Sequence, residues 1–326
     1  MTAISLVQAV NLALRRAMTD DARVLVLGED VGVDGGVFRA TEGLLQAFGD
    51  DRVIDTPLAE AGIAGVSIGL ATQGFRPVAE IQFTGFAYSC VDQLLNHASR
   101  LRTRTRGRLT CPLVLRSPAG GGIRAIEHHS ECPEAMFAHI PGLKVVIPSS
   151  PARAYGLLLS AIRDPDPIVF LEPTRLYRAA QEDVVDDGAG IPLETCFTLR
   201  SGRDVTFVTW GAMVKETVEA AERLSADGIE AEVIDVATLK PLDSKTILDS
   251  VARTGRLVIV HEAPLTSGYG AEIAARVAGA GLTDLLAPIE RVAGYDTVMP
   301  YPRIEAWYMP SVERVISAAR RAMAYR

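Results

Sequence analysis

The chain has 326 residues, 48% of them hydrophobic and 22% charged, with a formal net charge of −7. That composition fits a folded protein of two ordinary domains and excludes a disordered or fibrous chain. The acidic balance argues against nucleic acid and leaves room for a basic protein module as partner.

Residues 5–18 repeat apolar positions at helical spacing, with Arg15 and Arg16 late and Asp20 and Asp21 directly after. A secretory leader carries its charge first, so a cytoplasmic protein is expected. Residues 24–27 form the first apolar strand. Ile54-Asp55-Thr56-Pro57-Leu58-Ala59-Glu60 then reads as a short strand, a Pro-broken loop and a helix over residues 60–73 that opens with a carboxylate. That helix carries Ala61, Gly62, Ala64, Gly65, Ser67 and Gly69. Each Gly costs about 1 kcal/mol against Ala in a helix interior, so this run predicts close approach by another backbone. A plainer role for Glu60 also exists, because an acid at a helix N-terminus favours the dipole. The run from 61 to 71 is too short and too Gly-rich to span a bilayer.

Strands are predicted over residues 78–81, 113–116, 144–147 and 168–171. Helices are predicted over 87–103 and 152–163, the second with Ser150 as cap and Pro151 at the first helical position. Arg100, Arg102, Arg104 and Arg106 mark an exposed helix end, not a nucleic-acid patch. This alternation predicts an α/β fold with a mostly parallel sheet covered on both faces. Residues 181–192 are acidic and carry Gly188, Gly190 and Pro192, which reads as linker. A second alternation follows, with strands at 205–209, 231–236, 257–261 and 289–292 and helices at 214–226, 244–253, 270–280 and 312–324. The organisation is therefore a larger α/β domain over residues 1–185, a linker over 186–203, and a smaller α/β domain over 204–326.

Cys90, Cys111, Cys132 and Cys196 form no CxxC pair, so neither a zinc ribbon nor a dithiol is indicated. Gly268-Tyr269-Gly270 lacks the third Gly of a dinucleotide fingerprint and reads as a helix start. Gly120-Gly121-Gly122 has no following Lys-Ser/Thr, so it reads as a mobile loop and not a phosphate cradle. It leads into Glu127-His128-His129-Ser130-Glu131. Adjacent histidines are expected to point apart, which disfavours a two-His metal site. A single histidine beside a Gly loop at a strand's C-terminal end is an acid–base candidate. No GxSxG elbow surrounds any Ser, so a hydrolase triad is not supported.

Taken together, several segments in order resemble the β subunit of the E1 component of thiamine-diphosphate-dependent 2-oxo acid dehydrogenases. They are Gly28-Glu29-Asp30-Val31, Asp55-Thr56-Pro57-Leu58-Ala59-Glu60, Glu80-Ile81-Gln82-Phe83, Arg116-Ser117-Pro118, His129-Ser130 and Pro141-Gly142-Leu143-Lys144. In the second half they are His261-Glu262-Ala263-Pro264-Leu265-Thr266 and Gly294-Tyr295-Asp296-Thr297. The last two lean towards the branched-chain 2-oxo acid branch. Phe86, where branched-chain members often carry Tyr, and Val298-Met299-Pro300, where Pro-Phe-Pro is usual, lean the other way.

The resemblance implies a transketolase-like pyrimidine-binding domain followed by a transketolase-like C-terminal domain. It implies that Glu60 hydrogen-bonds N1′ of the cofactor's aminopyrimidine, that Leu58 and Phe86 pack on that ring, and that Gln82 lines the site. His129 matches a histidine that assists acyl transfer to a lipoyl group on E2. Backbone carbonyls matching a potassium site are those of Cys111, Leu113, Val114, Ala161, Asp164 and Asp166. Gly49-Asp50-Asp51 is not the Gly-Asp-Gly motif that anchors Mg²⁺ and diphosphate, so the resemblance assigns that half of the site to an α subunit in an α₂β₂ tetramer. The expected function is E1 β of a branched-chain 2-oxo acid dehydrogenase. The alternatives are a pyruvate or acetoin dehydrogenase subunit, a non-catalytic scaffold that recruits E2, and a self-contained synthase, against which the missing diphosphate motif speaks.

Overall fold

The computed structural model describes residues 2–325. Its strands, in chain order, are β1 (Thr2–Ser5), β2 (Val24–Gly28), β3 (Val53–Asp55), β4 (Arg76–Glu80), β5 (Val114–Ala119), β6 (Lys144–Val146) and β7 (Ile168–Pro173). They continue as β8 (Gln181–Val184), β9 (Phe197–Arg200), β10 (Val205–Thr209), β11 (Ala231–Asp235), β12 (Thr238–Lys240), β13 (Leu257–Pro264) and β14 (Glu290–Gly294). A seven-stranded sheet runs in the order β12-β6-β7-β5-β4-β2-β3, and a five-stranded sheet in the order β14-β13-β10-β11-β9. Within each, the strands are parallel except one edge strand, β12 and β9 respectively.

Strands β2, β5, β7, β10 and β11 are buried at every residue. Helices cover both faces, which is why these strands show no regular alternation of apolar and polar residues, although β5, β7, β10 and β11 also bury Arg116, Glu172, Thr206, Thr209, Glu232 and Asp235. On one face of the large sheet, helices Leu6–Asp20 and Pro151–Arg163 pack Val10, Ala13 and Leu14 against Leu157, Leu158 and Phe170. On the other, Ile63, Leu94 and Phe137 form a core that continues without a break into Trp210, Ile234, Ile259 and Tyr269 of the second half. A third core lies beneath helices Val214–Ala226 and Val312–Ala324. Among the described residues, no helix is long and apolar enough to cross a membrane.

Three expectations need correction. The start of the predicted linker is β8, which pairs antiparallel with β1, Ser5 opposite Gln181 and Thr2 opposite Val184. Three of its four side chains are exposed, so it leaves no apolar pattern to read. The predicted helix over 87–103 is broken into a 3₁₀ turn Phe86–Cys90, a helix Val91–Asn96, a second 3₁₀ turn Ala98–Arg100 and a helical turn Leu101–Arg104. The break falls at His97, whose φ of −121° and ψ of −68° are not helical. Finally, β12 belongs by sequence to the smaller domain yet pairs with β6 at the edge of the larger domain's sheet.

Candidate active site

The chain leaves β2 first to β3 on one side and then to β4 on the other. Such a reversal opens a crevice beyond the strands' C-terminal ends, the usual ligand position in open α/β sheets. Gly28 pairs with both Asp55 and Glu80, so the segments that follow β2, β3 and β4 start level with one another. Glu29 and Asp30, then Leu58 and Glu60, then Gln82 and Phe86 all issue at this end. Asp55 ties two of the loops together by accepting from the Gly32 amide at 2.6 Å and the Val33 amide at 3.1 Å.

Glu60 opens helix Glu60–Thr72 and is half-buried, and its carbonyl accepts from the Cys90 thiol at 3.3 Å. Beside it lies Glu29, to which neither the residue pattern nor the resemblance gives a role. Glu29 is buried and its Oε1 has no hydrogen-bond partner. Burial pushes the Glu29 carboxyl up, the Glu60 and Asp30 charges push it further, and the Ala59 amide opposes them. An unpaired acid in a negative field suits a donor or a protonated nitrogen arriving from outside the chain. Gln82 donates to Asp30 Oδ2 at 2.8 Å, which fixes its amide and turns its oxygen elsewhere. Leu58 is 80% exposed. Phe86 packs edge-on against Phe83 and His129, at 6.1 and 5.5 Å between centroids.

Beneath these loops, Arg116 is fully buried between two acids. It forms a bidentate pair with Glu172 at 2.7 Å on each arm and a short bond to Glu80, and Tyr177 donates to Glu172 at 2.5 Å. The network fixes the ends of β4, β5 and β7. Burial holds Glu80 above the ordinary carboxylate range despite that arginine.

His129 sits in the short turn Glu127–His129 after β5, with its ring 4.1 Å from Phe83 and its Nδ1 buried without a partner. Burial, then the neighbouring His128, holds its pKa below the ordinary imidazole range, and Glu127 opposes them. The two histidines do not point apart. Their centroids are 5.0 Å apart, and both rings lie 5.5 Å from Phe86, because the turn curls them over the same aromatic face. Nor is the loop over residues 120–122 free. The Gly120 amide donates to Glu131 O at 2.9 Å, Gly121 to Glu262, and Gly122 to Glu305 at 3.0 Å. Phe83 also lines a cavity of about 650 Å³ with Phe38, Ile123, Arg175 and Arg178.

One side of the small-residue run, Ala64 and Ser67, is buried within this chain, while none of its glycines meets the backbone of another segment. Gly69 faces open space, Gly62 meets only the Ala59 methyl at 3.6 Å, and Ala61 and Val66 are exposed. The residues expected to offer carbonyls to potassium lie around the start of β5 and the end of helix Pro151–Arg163, where Leu113 O accepts from Ile168 at 2.9 Å. There Lys144 pairs with Asp164 at 2.6 Å and Arg102 with Asp166 at 2.7 Å, while Arg76 donates to Asp164 O at 3.3 Å. The carboxylates of that corner are thus balanced by the chain's own cations. Carbonyls of Cys111 and Ala161 each already accept one amide, from Leu113 and Asp164; Val114 lies in β5 beside them.

Comparison with known proteins agrees with this architecture. Residues 2–180 match the family model "Transketolase, pyrimidine binding domain", and residues 195–315 match "Transketolase, C-terminal domain". Over all of both chains, the sequence is 47% identical to the pyruvate dehydrogenase E1 component subunit beta of Bacillus subtilis (strain 168). It is 46% identical to that of Acholeplasma laidlawii over 98% of each chain, and 45% to that of Staphylococcus aureus over all of each. A solved structure described as a split gene transketolase, inactive beta4 tetramer, superposes over 99% of each chain with a TM-score of 0.82 and 23% identity, a likeness of fold. With both domains matched and relatives aligned from end to end, the chain belongs to the transketolase-like E1 β subunits of the 2-oxo acid dehydrogenases.

Proposed function

We propose that this chain is the β half of a pyruvate dehydrogenase E1 active site, in which Glu60, Leu58, Gln82 and Phe86 hold the aminopyrimidine end of thiamine diphosphate. The branched-chain assignment expected from residues 261–266 and 294–297 gives way to this one. The observation that carries the choice is 45–47% identity, along essentially the whole chain, to proteins named as pyruvate dehydrogenase E1 β subunits. Phe86 and Val298-Met299, the two departures from the branched-chain pattern, agree with it.

Thiamine diphosphate, when bound, supplies the electron sink for decarboxylating a 2-oxo acid. The fit of this chain to it rests on the crevice's charge. Glu60 offers a carboxylate to a ring nitrogen, and the buried Glu29 beside it favours the protonated form of that nitrogen. Leu58 and Phe86 offer apolar faces to a flat ring, and Gln82, held by Asp30, offers its oxygen. Burial holds His129 below the ordinary imidazole range, which favours a neutral ring as the proton acceptor where a lipoyl thiol arrives. We assign Mg²⁺ and the diphosphate to an α subunit in an α₂β₂ tetramer. The exposed face of Ala61, Gly62, Val66 and Gly69 is the surface we assign to that contact. E2 with its lipoyl arm is the acceptor. A potassium ion at the β5 corner would bind through carbonyls alone and would show as a K⁺-dependent melting temperature.

The test is kcat/KM of the reconstituted tetramer for pyruvate against 3-methyl-2-oxobutanoate. Each extra methylene in an apolar pocket is worth about 1–3 kcal/mol, so pyruvate is expected to lead by tenfold or more. A lead for the branched substrate restores the branched-chain assignment.

A further inference from the structure

We propose that the second domain sets the position of His129, with Glu262 and Glu305 acting as positioning residues that clamp residues 120–130 at the domain junction. This rests on the assignment of His129 to the active site made above.

The clamp is built from backbone amides and buried acids. Where β5 ends, the Gly120 amide donates to Glu131 O at 2.9 Å, and the same carbonyl accepts from Thr84 Oγ1 at 2.9 Å, which closes the base of the loop. Its tip reaches the other domain. Gly121 N donates to Glu262 Oε1, and Gly122 N and Arg124 N donate to Glu305 Oε1 at 3.0 and 3.3 Å. Glu262 lies in β13 and Glu305 opens the turn Glu305–Tyr308, and both are buried at 7% and 6% exposure. A buried carboxylate needs donors, and charge-assisted bonds from amides are among the stronger ones. The end of the Met299 side chain packs beside Gly121 and would have to move aside for any larger residue there.

The far end of the segment rests on Gly85. A Cβ at that position would lie 2.8 Å from the His128 carbonyl carbon and 2.9 Å from the His128 Cβ. Between the clamp and this rest lie only a few residues and the turn Glu127–His129, which puts the imidazole on Phe83 and Phe86. Fixing both ends of so short a span fixes the ring. If the two acids served only to join the domains, their loss would lower stability and leave the surroundings of His129 unchanged.

The experiment uses the full chain with labelled histidine, following amide exchange over residues 120–131 and the NMR titration of His129. In Glu305→Ala, exchange at Gly122 and Arg124 is expected to rise about tenfold. The His129 titration is expected to move up towards the ordinary imidazole range. Glu305→Gln keeps an acceptor oxygen and is expected to restore both. Glu262→Gln, nearly isosteric, is the second variant, with a smaller change in the same direction. Unchanged exchange and an unchanged His129 titration in Glu305→Ala and Glu262→Gln, whatever their melting temperatures, overturn the clamp. Neither readout needs cofactor or α subunit. Should both move as expected while lipoyl transfer by the reconstituted enzyme ignores His129, the clamp stands and the assigned role of His129 falls.

Discussion

The crevice beyond β2 and β4 and the junction between the domains both hold acids and a histidine with unmet polar atoms, yet in opposite settings. At the crevice, Asp30 and Leu58 are exposed and Glu60 is half-buried, so a ligand can reach the negative pocket whose buried member is Glu29. At the junction, His261 is fully buried, stacked 5.2 Å over Trp210 at an interplanar angle of 8°, and neither ring nitrogen has a partner. Glu134 is also buried there and accepts from Trp210 Nε1 at 3.3 Å. An unmet polar atom points to a ligand only where something can enter. Sealed in a core, it is a cost of folding carried by the rest of the packing.

The sharpest way to break the comparison is Glu60→Gln in the reconstituted tetramer. Positioned acid–base groups are worth about 10²–10⁴-fold, and a loss of that size is expected in the C2 proton–deuterium exchange of bound cofactor. Gln is a good helix former, so near-native exchange in an intact tetramer would reduce Glu60 to a helix-end acid. Next, His129→Ala is expected to cost about 10²-fold in acylation of a lipoyl domain and far less in dye-linked decarboxylation. Equal losses would remove its distinct role.

The junction's effects are smaller, are read in stability, and have opposite signs. Burial lowers His261 to about 4. Its neutral form therefore stabilises the fold above the unfolded pKa of about 6.5, and that contribution is lost as pH falls through 4. Burial raises Glu134 to about 7. Its protonated form stabilises the fold below the unfolded pKa of about 4.3, and that contribution is lost as pH rises through 7. Glu134→Gln is thus expected to raise the melting temperature at pH 8 by a few degrees, on the order of 2 kcal/mol, with little gain at pH 4. His261→Phe removes the two unmet nitrogens at every pH and the charging penalty only at low pH, so it is expected to gain more at pH 4.5 than at pH 8. Thermal melts at these pH values decide it, and a Glu134→Gln gain independent of pH would mean that charge plays no part there.

Buried strands are legible because burial on both faces favours runs of β-branched and apolar residues, as in Val205-Thr206-Phe207-Val208-Thr209 of β10, whose bounds the sequence predicts. Glu60 and a histidine of the 128–129 pair stand out from the residues alone, Gln82 and Phe86 only through the resemblance, and the structure sets all of them in the loops and turns that follow β3, β4 and β5. What escaped had no local signal. Helical spacing continued across the break at His97, and β8 exposes polar side chains while its backbone pairs. Glu262 and Glu305 act on amides more than a hundred residues away, and no periodicity encodes that.

Strand β12 has a consequence for synthesis. The edge of β6 stays bare until Thr238–Lys240 has left the ribosome, so the first domain cannot complete its sheet while it is being made. For the time taken to translate some ninety further residues, at roughly 5–20 residues per second, a nascent chain carries an open strand edge of the kind that pairs with strangers. The sheet of the first half is therefore completed only by the second, and a chaperone that shields strand edges would find its substrate in that interval.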